Sequence, residues 1–222
     1  MKKSLVLVLA ILMVLSFALS ACAPKAPAET PGEAAAEPKI MRTNNAFEPG
    51  SLDPALAQGT HDSWVLDHTF EGLTKKDVDG KIVLGMAKEY KLAEDDVTYT
   101  FTLRDDIKWS NGDPVTAYDF EFAWKRALDP ALASDYAYQL YYLKGGEAYN
   151  TKTGSVDEVG VKAIDDKTLE VVLASPTAYF LELTSFYTYY PVNKKVVEAN
   201  PDWAKNAETH VSNGPFKLTG WE

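Results

Sequence analysis

The 222-residue sequence predicts a mixed α/β fold of the α+β kind, in which hairpins and helices follow one another without a strict βα repeat. Three observations carry that prediction. Tyr99, Phe101 and Leu103 alternate with Thr98, Thr100 and Thr102, a period of two in β-favouring residues. Behind Thr116, which is placed to cap a helix, Phe120, Ala123, Trp124, Ala127 and Leu128 recur at i, i+3, i+4, i+7 and i+8, an apolar helical stripe. Val159, Val161 and Ala163, then Leu169, Val171 and Leu173, flank the turn Asp165-Asp166-Lys167 as two arms of a hairpin. Apolar residues at 46% and aromatic residues at 12% are ordinary for a globular core.

In chain order, the first element is a leader. Lys2 and Lys3 give a positive tip, Leu5 to Leu19 is almost wholly apolar, and small residues precede Cys22. This is the pattern of a signal peptide over residues 1–21. The apolar run of about 15 residues is short of the roughly 20 that a helix needs to span a bilayer. Leu19-Ser20-Ala21-Cys22 resembles the lipobox of bacterial lipoproteins, which implies lipid attachment at the Cys22 thiol and cleavage before it. Such lipidation implies more than one acyl chain, and two chains hold a protein stably on a membrane where one does not. Cys22 is the only cysteine, so a monomer carries no disulfide. Residues 22–39 then read as a disordered tether, because Ala23 to Pro38 holds neither an aromatic nor a branched aliphatic side chain to bury.

Ile40-Met41-Arg42-Thr43 reads as the short strand that begins the folded part, broken by the turn formers of Glu48 to Pro54. Asp62 to Leu73 reads as a helix leading into a strand, and Asp79-Gly80 as a hairpin turn. Asn111-Gly112-Asp113-Pro114 is a turn before the Thr116 helix, which Asp129-Pro130 ends. Thr177 is placed to cap a helix holding Phe180, Leu181 and Leu183. Asn193 is placed to cap another over Lys194 to Ala199, closed by Asn200-Pro201.

The formal charge is −10, and loss of Lys2 and Lys3 with the leader takes it to −12. An acidic chain argues against nucleic acid, whose phosphates need Lys and Arg, and against docking on anionic lipid by a basic patch. No pair among His61, His68 and His210 has the i, i+4 spacing of a zinc helix, so no metal site is predicted. No Gly-x-Ser-x-Gly elbow and no nucleophile–base arrangement is present, and no catalytic residue is assigned. Asp95-Asp96, Asp105-Asp106 and Asp165-Asp166 are adjacent carboxylates at expected turns, where local hydrogen bonding explains them. Two aromatic groups, Tyr136, Tyr138, Tyr141, Tyr142 and Tyr149, then Phe186, Tyr187, Tyr189 and Tyr190, read first as core and second as a cleft wall.

From Ser51 onward the motifs form a series. Ser51-Leu52-Asp53-Pro54 is followed by Phe70-Glu71-Gly72-Leu73, then by Tyr99 to Arg104 and by Lys108 to Phe120. Asp129-Pro130, Gly160-Val161-Lys162-Ala163-Ile164-Asp165-Asp166 and Asn213-Gly214-Pro215-Phe216 complete it. In this order and spacing the chain resembles solute-binding protein family 5, the oligopeptide- and dipeptide-binding proteins of ATP-binding-cassette importers.

That resemblance implies a periplasmic-binding-protein-like type II fold of two lobes on a hinge, with residues 40–70 and 194–222 in the first lobe and residues 71–193 in a family-specific additional domain. It implies a second lobe beyond Glu222, and weak or no peptide binding by these residues alone. It implies a peptide ligand, permease partners, a monomer lipid-anchored outside the cytoplasm, and no cofactor. The peptide's main chain is expected to pair with Gln58, Gly59 and Thr60, and Tyr136 to face it. Such β-augmentation grips any sequence, because all peptides share one backbone. An oligopeptide-binding member carries an acidic residue where this chain has Gln58, so a charge contact is missing here. Other members of the family take dipeptides, nickel chelates, haem or sugars. A different class, an exported hydrolase, is the rival reading, and a signalling or adhesion lipoprotein the third.

Overall fold

The computed structural model describes residues 39–222; the expected signal peptide, Cys22 and nearly all of the tether lie outside the described residues. From Thr60 the chain forms helix α1 (Thr60–Thr69), then a hairpin of β1 (Thr74–Lys76) and β2 (Ile82–Leu84). Gly80 at φ 77° and the Asp77 carboxylate, which accepts the Asp79 and Lys81 N–H groups, make its turn. Next come β3 (Ala87–Leu92), β4 (Thr98–Leu103), helix α2 (Ala117–Ala127) and the short α3 (Gly146–Asn150). The hairpin β5 (Val161–Ala163) and β6 (Thr168–Val172), then α4 (Phe180–Leu183) and α5 (Lys194–Ala199), follow.

The core sheet is antiparallel, in the order β3-β4-β6-β5. Alternation along β4 decides its faces. Tyr99, Phe101 and Leu103 are buried, while Thr98, Thr100 and Thr102 are half-buried. Phe101 stands between Tyr90 of β3 and Leu169 of β6, and Tyr99 between Leu92 and Val171. Helix α2 lies against β5 and β6 and buries Phe120, Ala123, Trp124 and Ala127, the stripe read from the sequence. Each such Phe or Leu taken fully out of water contributes about 2 kcal/mol of transfer free energy.

Helix α2 starts at Thr116 as expected, but the carboxylate of Asp119 makes the main contacts of the cap. Its Oδ2 accepts the Thr116 N–H at 2.9 Å and the Thr116 hydroxyl at 3.1 Å. The same carboxylate accepts the Trp109 indole N–H at 3.3 Å and the Lys194 N–H at 3.2 Å, so one side chain joins the turn, α2 and α5. Gly112 at φ 94° and the Asn111 side chain make the intervening turn. Asn193 caps α5 as read, its Oδ1 accepting the Val196 N–H at 3.1 Å.

Three boundaries differ from the sequence reading. Ile40–Thr43 forms no strand: the segment is exposed, and among the described strands none pairs with it. Helix α1 begins two residues before Asp62 and stops at Thr69, with Phe70 extended. The stop is tertiary: the Thr69 carbonyl accepts the Gly214 N–H at 2.7 Å, and Asn213 bonds both the N–H and the C=O of Glu71. Thr177 does not cap α4; Tyr179 is the cap residue, and the Thr177 hydroxyl donates to the Ser175 carbonyl instead.

The family-like motifs are largely scaffold. Ser110 N–H donates to the Ser212 carbonyl at 2.7 Å, and Phe216 N–H to the His68 carbonyl at 3.1 Å. The last described segment therefore closes on the turn before α2 and on the end of α1. Residues 44–222 form one unit.

Candidate functional site

The loop from Gly50 to Gly59 is shaped by two buried carboxylates. Asp53 accepts the Ala55 N–H at 3.0 Å and a two-pronged bond from Arg126 of α2, at 3.0 and 2.7 Å. A planar guanidinium matches a carboxylate in this way, which fixes the loop against the end of α2. Asp62, at the third position of α1, reaches back. Its Oδ1 accepts Gly50 N–H at 2.6 Å and Ser51 N–H at 3.4 Å; its Oδ2 accepts Gln58 N–H at 2.8 Å and Gly59 N–H at 3.2 Å. Gly50, Leu56, Gln58, Gly59, His61 and Asp62 line an open groove of about 400 Å³.

Of the four residues expected to meet a ligand, Gln58, Gly59 and Thr60 border this groove or adjoin it. Tyr136, 78 positions from Gln58, is brought to them: its hydroxyl donates to the Gln58 carbonyl at 3.3 Å. Gln58 and Thr60 are exposed and Gly59 half-buried. Their main-chain groups are not equally available. The Gln58 and Gly59 N–H groups are held by Asp62, and the Gly59 carbonyl accepts Asp62 and Ser63 N–H groups of α1. The Gln58 carbonyl accepts the Tyr136 hydroxyl, and among the described residues the Thr60 N–H has no hydrogen-bond partner.

The aromatic groups divide. Tyr189 and Tyr190 are core: Trp124 donates its indole N–H to the Tyr189 carbonyl at 2.8 Å, and Tyr190 stacks on Phe70. Burial pushes both of these phenols well above the ordinary tyrosine range, so they stay protonated donors. Tyr136, Tyr138, Phe186 and Tyr187 form a wall next to Gln58, with Tyr136 stacked on Tyr138 at 5.7 Å and set 5.8 Å from both Phe186 and Tyr187. Tyr187 also lines a second groove of about 420 Å³ with Ser63 and Asp67 of α1, Lys76, Gln139 and Glu182. Burial raises the Asp67 carboxyl above its usual range, opposed by the bond from the Tyr190 hydroxyl at 2.9 Å.

Sequence reasoning missed Asp62 and the Asp53–Arg126 pair as organisers of the site. For Asp62 a signal was present: an acidic residue three places after a loop glycine is a helix N-terminal cap partner. For Arg126 no local signal exists, since its partner is 73 residues away. Among the described residues no three His, Cys, Asp or Glu side chains converge to hold a metal ion.

The sequence profile of the bacterial extracellular solute-binding proteins, family 5 middle region, matches residues 81–222. The oligopeptide-binding protein OppA of Bacillus subtilis is 50% identical over 219 residues, 97% of this chain and 40% of that protein. The dipeptide-binding protein DppE of Bacillus subtilis is 44% identical over 217 residues, 94% of this chain and 39% of that protein. Among solved structures, an oligopeptide ABC transporter substrate-binding domain from Bacillus anthracis superposes with a TM-score of 0.78 at 44% identity, over 82% of this chain and 35% of that one. Listeria monocytogenes OppA bound to peptide superposes with a TM-score of 0.75 at 42% identity, over 77% of this chain and 34% of that one. The chain spans about 40% of the length of the curated relatives it matches.

Proposed function

This chain belongs to the bacterial extracellular solute-binding proteins of family 5, and on that premise we propose that it captures oligopeptides outside the cytoplasm and hands them to the permease of an ATP-driven importer. The observation that carries the reading is the exposed segment Gln58 to Thr60 beside the Tyr136 wall, with a Thr60 N–H that has no partner among the described residues. A carbonyl and an N–H two residues apart offer a backbone partner to any extended peptide, independent of its side chains. The amphipathic phenol of Tyr136 covers one flank of that edge. Residues 40–70 and 194–222 contribute to the first lobe and residues 71–193 to the additional domain. Lipid on Cys22 holds the protein, as a monomer, at the membrane's outer face.

Binding is non-covalent and leaves the peptide intact. The test is calorimetry on the mature full-length protein with two tetrapeptides of unrelated sequence, followed by mass spectrometry of the recovered peptide. Comparable affinities and unaltered mass are expected. Cleaved peptide would establish a hydrolase instead, and no heat with any peptide would end the reading. The likeness to a dipeptide-binding relative favours a second reading, a preference for two-residue ligands, which the same titration with dipeptides decides.

A further inference from the structure

The unusual feature of the candidate edge is how few of its groups are free, and Asp62 is the reason. Its side chain is 2% exposed, yet carries a carboxylate away from water. Burying a charge is costly unless it is fully bonded. Here each oxygen takes two N–H groups: Gly50 and Ser51 on Oδ1, Gln58 and Gly59 on Oδ2. Consecutive N–H groups converging on one anion form a nest, and a nest cannot also be a regular strand edge. Gln58 and Gly59 must therefore turn their N–H groups inward. That leaves, before any ligand arrives, the Gln58 carbonyl bonded to the Tyr136 hydroxyl and the Thr60 N–H without a partner among the described residues.

We propose that Asp62 is the positioning residue of the peptide site: by gathering the N–H groups of Gly50, Ser51, Gln58 and Gly59 it pre-sets the Gln58 carbonyl and Thr60 N–H as the rung that a peptide main chain meets. This rests on the functional reading above. Pre-setting lowers the ordering cost of binding, so its loss weakens affinity without removing any direct contact. His61 stands over the arrangement: its ring occupies the place where a Gly59 Cβ would sit, and its Nε2 is 3.5 Å from Asp62 Oδ1.

The experiment uses the mature full-length protein, tetra-alanine as a probe with minimal side chains, and amide hydrogen exchange as a second readout. In the wild type without peptide, the Gln58 and Gly59 amides are protected and the Thr60 amide exchanges freely; tetra-alanine protects Thr60. Asp62→Asn keeps the size but has one acceptor oxygen in place of two, so one pair of N–H groups is released. It is expected to weaken tetra-alanine binding by about 10-fold or more and to speed exchange at Gln58 and Gly59 or at Gly50 and Ser51. Asp95→Asn is the control: Asp95 gathers the Val97 and Thr98 N–H groups in a remote turn, and its loss leaves affinity unchanged. Unchanged affinity in Asp62→Asn while the wild type binds overturns the Asp62 inference alone. So does a free, fast-exchanging Gln58 amide in the wild type, which needs no variant to fold. A wild type that binds no peptide overturns the functional reading and this inference together.

Discussion

At the scale of single residues, this fold concentrates its risk in a few buried polar groups. Arg126 and Asp53 form an ion pair whose side chains are 17% and 5% exposed. Removing one partner leaves the other buried and alone, so Arg126→Ala is expected to cost roughly 3 kcal/mol in urea unfolding. His210 is the second such group. It is 2% exposed, stacked on Trp203 and set edge-on to Phe70, and among the described residues neither ring nitrogen has a hydrogen-bond partner. Burial pushes its pKa down to about 4, against the smaller opposing pull of the Asp53 charge nearby. The unfolded chain, titrating at about 6.5, then binds more protons than the folded one between those two values. Stability attributable to His210 is therefore whole above pH 6.5, falls as pH drops towards 4, and levels off below; the loss is roughly 3 kcal/mol. His210→Phe keeps an aromatic ring and removes the titration. The difference in unfolding free energy between the two proteins, measured at pH 7 and at pH 4.5, should shift in favour of the variant at the lower pH.

At the scale of elements, helix α2 and the β5–β6 hairpin were legible because their pattern and their packing agree. The stripe Phe120, Ala123, Trp124 and Ala127 is the face laid on β5 and β6, and the alternation in β4 is the burial pattern of its two faces. Helix α1 was legible only in part, since its stop is imposed by Asn213 and Gly214, more than 140 positions away. The Ile40–Thr43 strand failed for the complementary reason: a β-favouring sequence forms a strand only when a neighbour takes its N–H and C=O groups. Asp119 shows what an element owes to one cap. Asp119→Ala removes the acceptor of the Thr116, Trp109 and Lys194 donors. It is expected to destabilise by about 3 kcal/mol in urea unfolding, more than the ~1 kcal/mol of an ordinary cap, because the Trp109 N–H is left buried and unpaired. An effect no larger than an ordinary cap would show that Asp119 acts on α2 alone.

At the scale of the whole molecule, β4 and β6 are the interior strands of the sheet, each paired on both sides. Amides of Phe101, Leu169 and Val171 should therefore exchange most slowly, and those of the β1–β2 hairpin early, as native-state exchange would record. Slowest exchange in β1–β2 would contradict this assignment of the core. The sequence alone determined the class of fold, the acidic balance, the main helix and hairpins, and the motif series that marks the family, because periodicity and turn chemistry act over a few residues. The tertiary structure alone decided which groups of the candidate site are free. It brought Tyr136 to Gln58 and Arg126 to Asp53, and it turned the Gln58 and Gly59 N–H groups onto Asp62. Hydrogen-bond availability depends on every partner a folded chain brings near, and those partners have no fixed spacing in sequence.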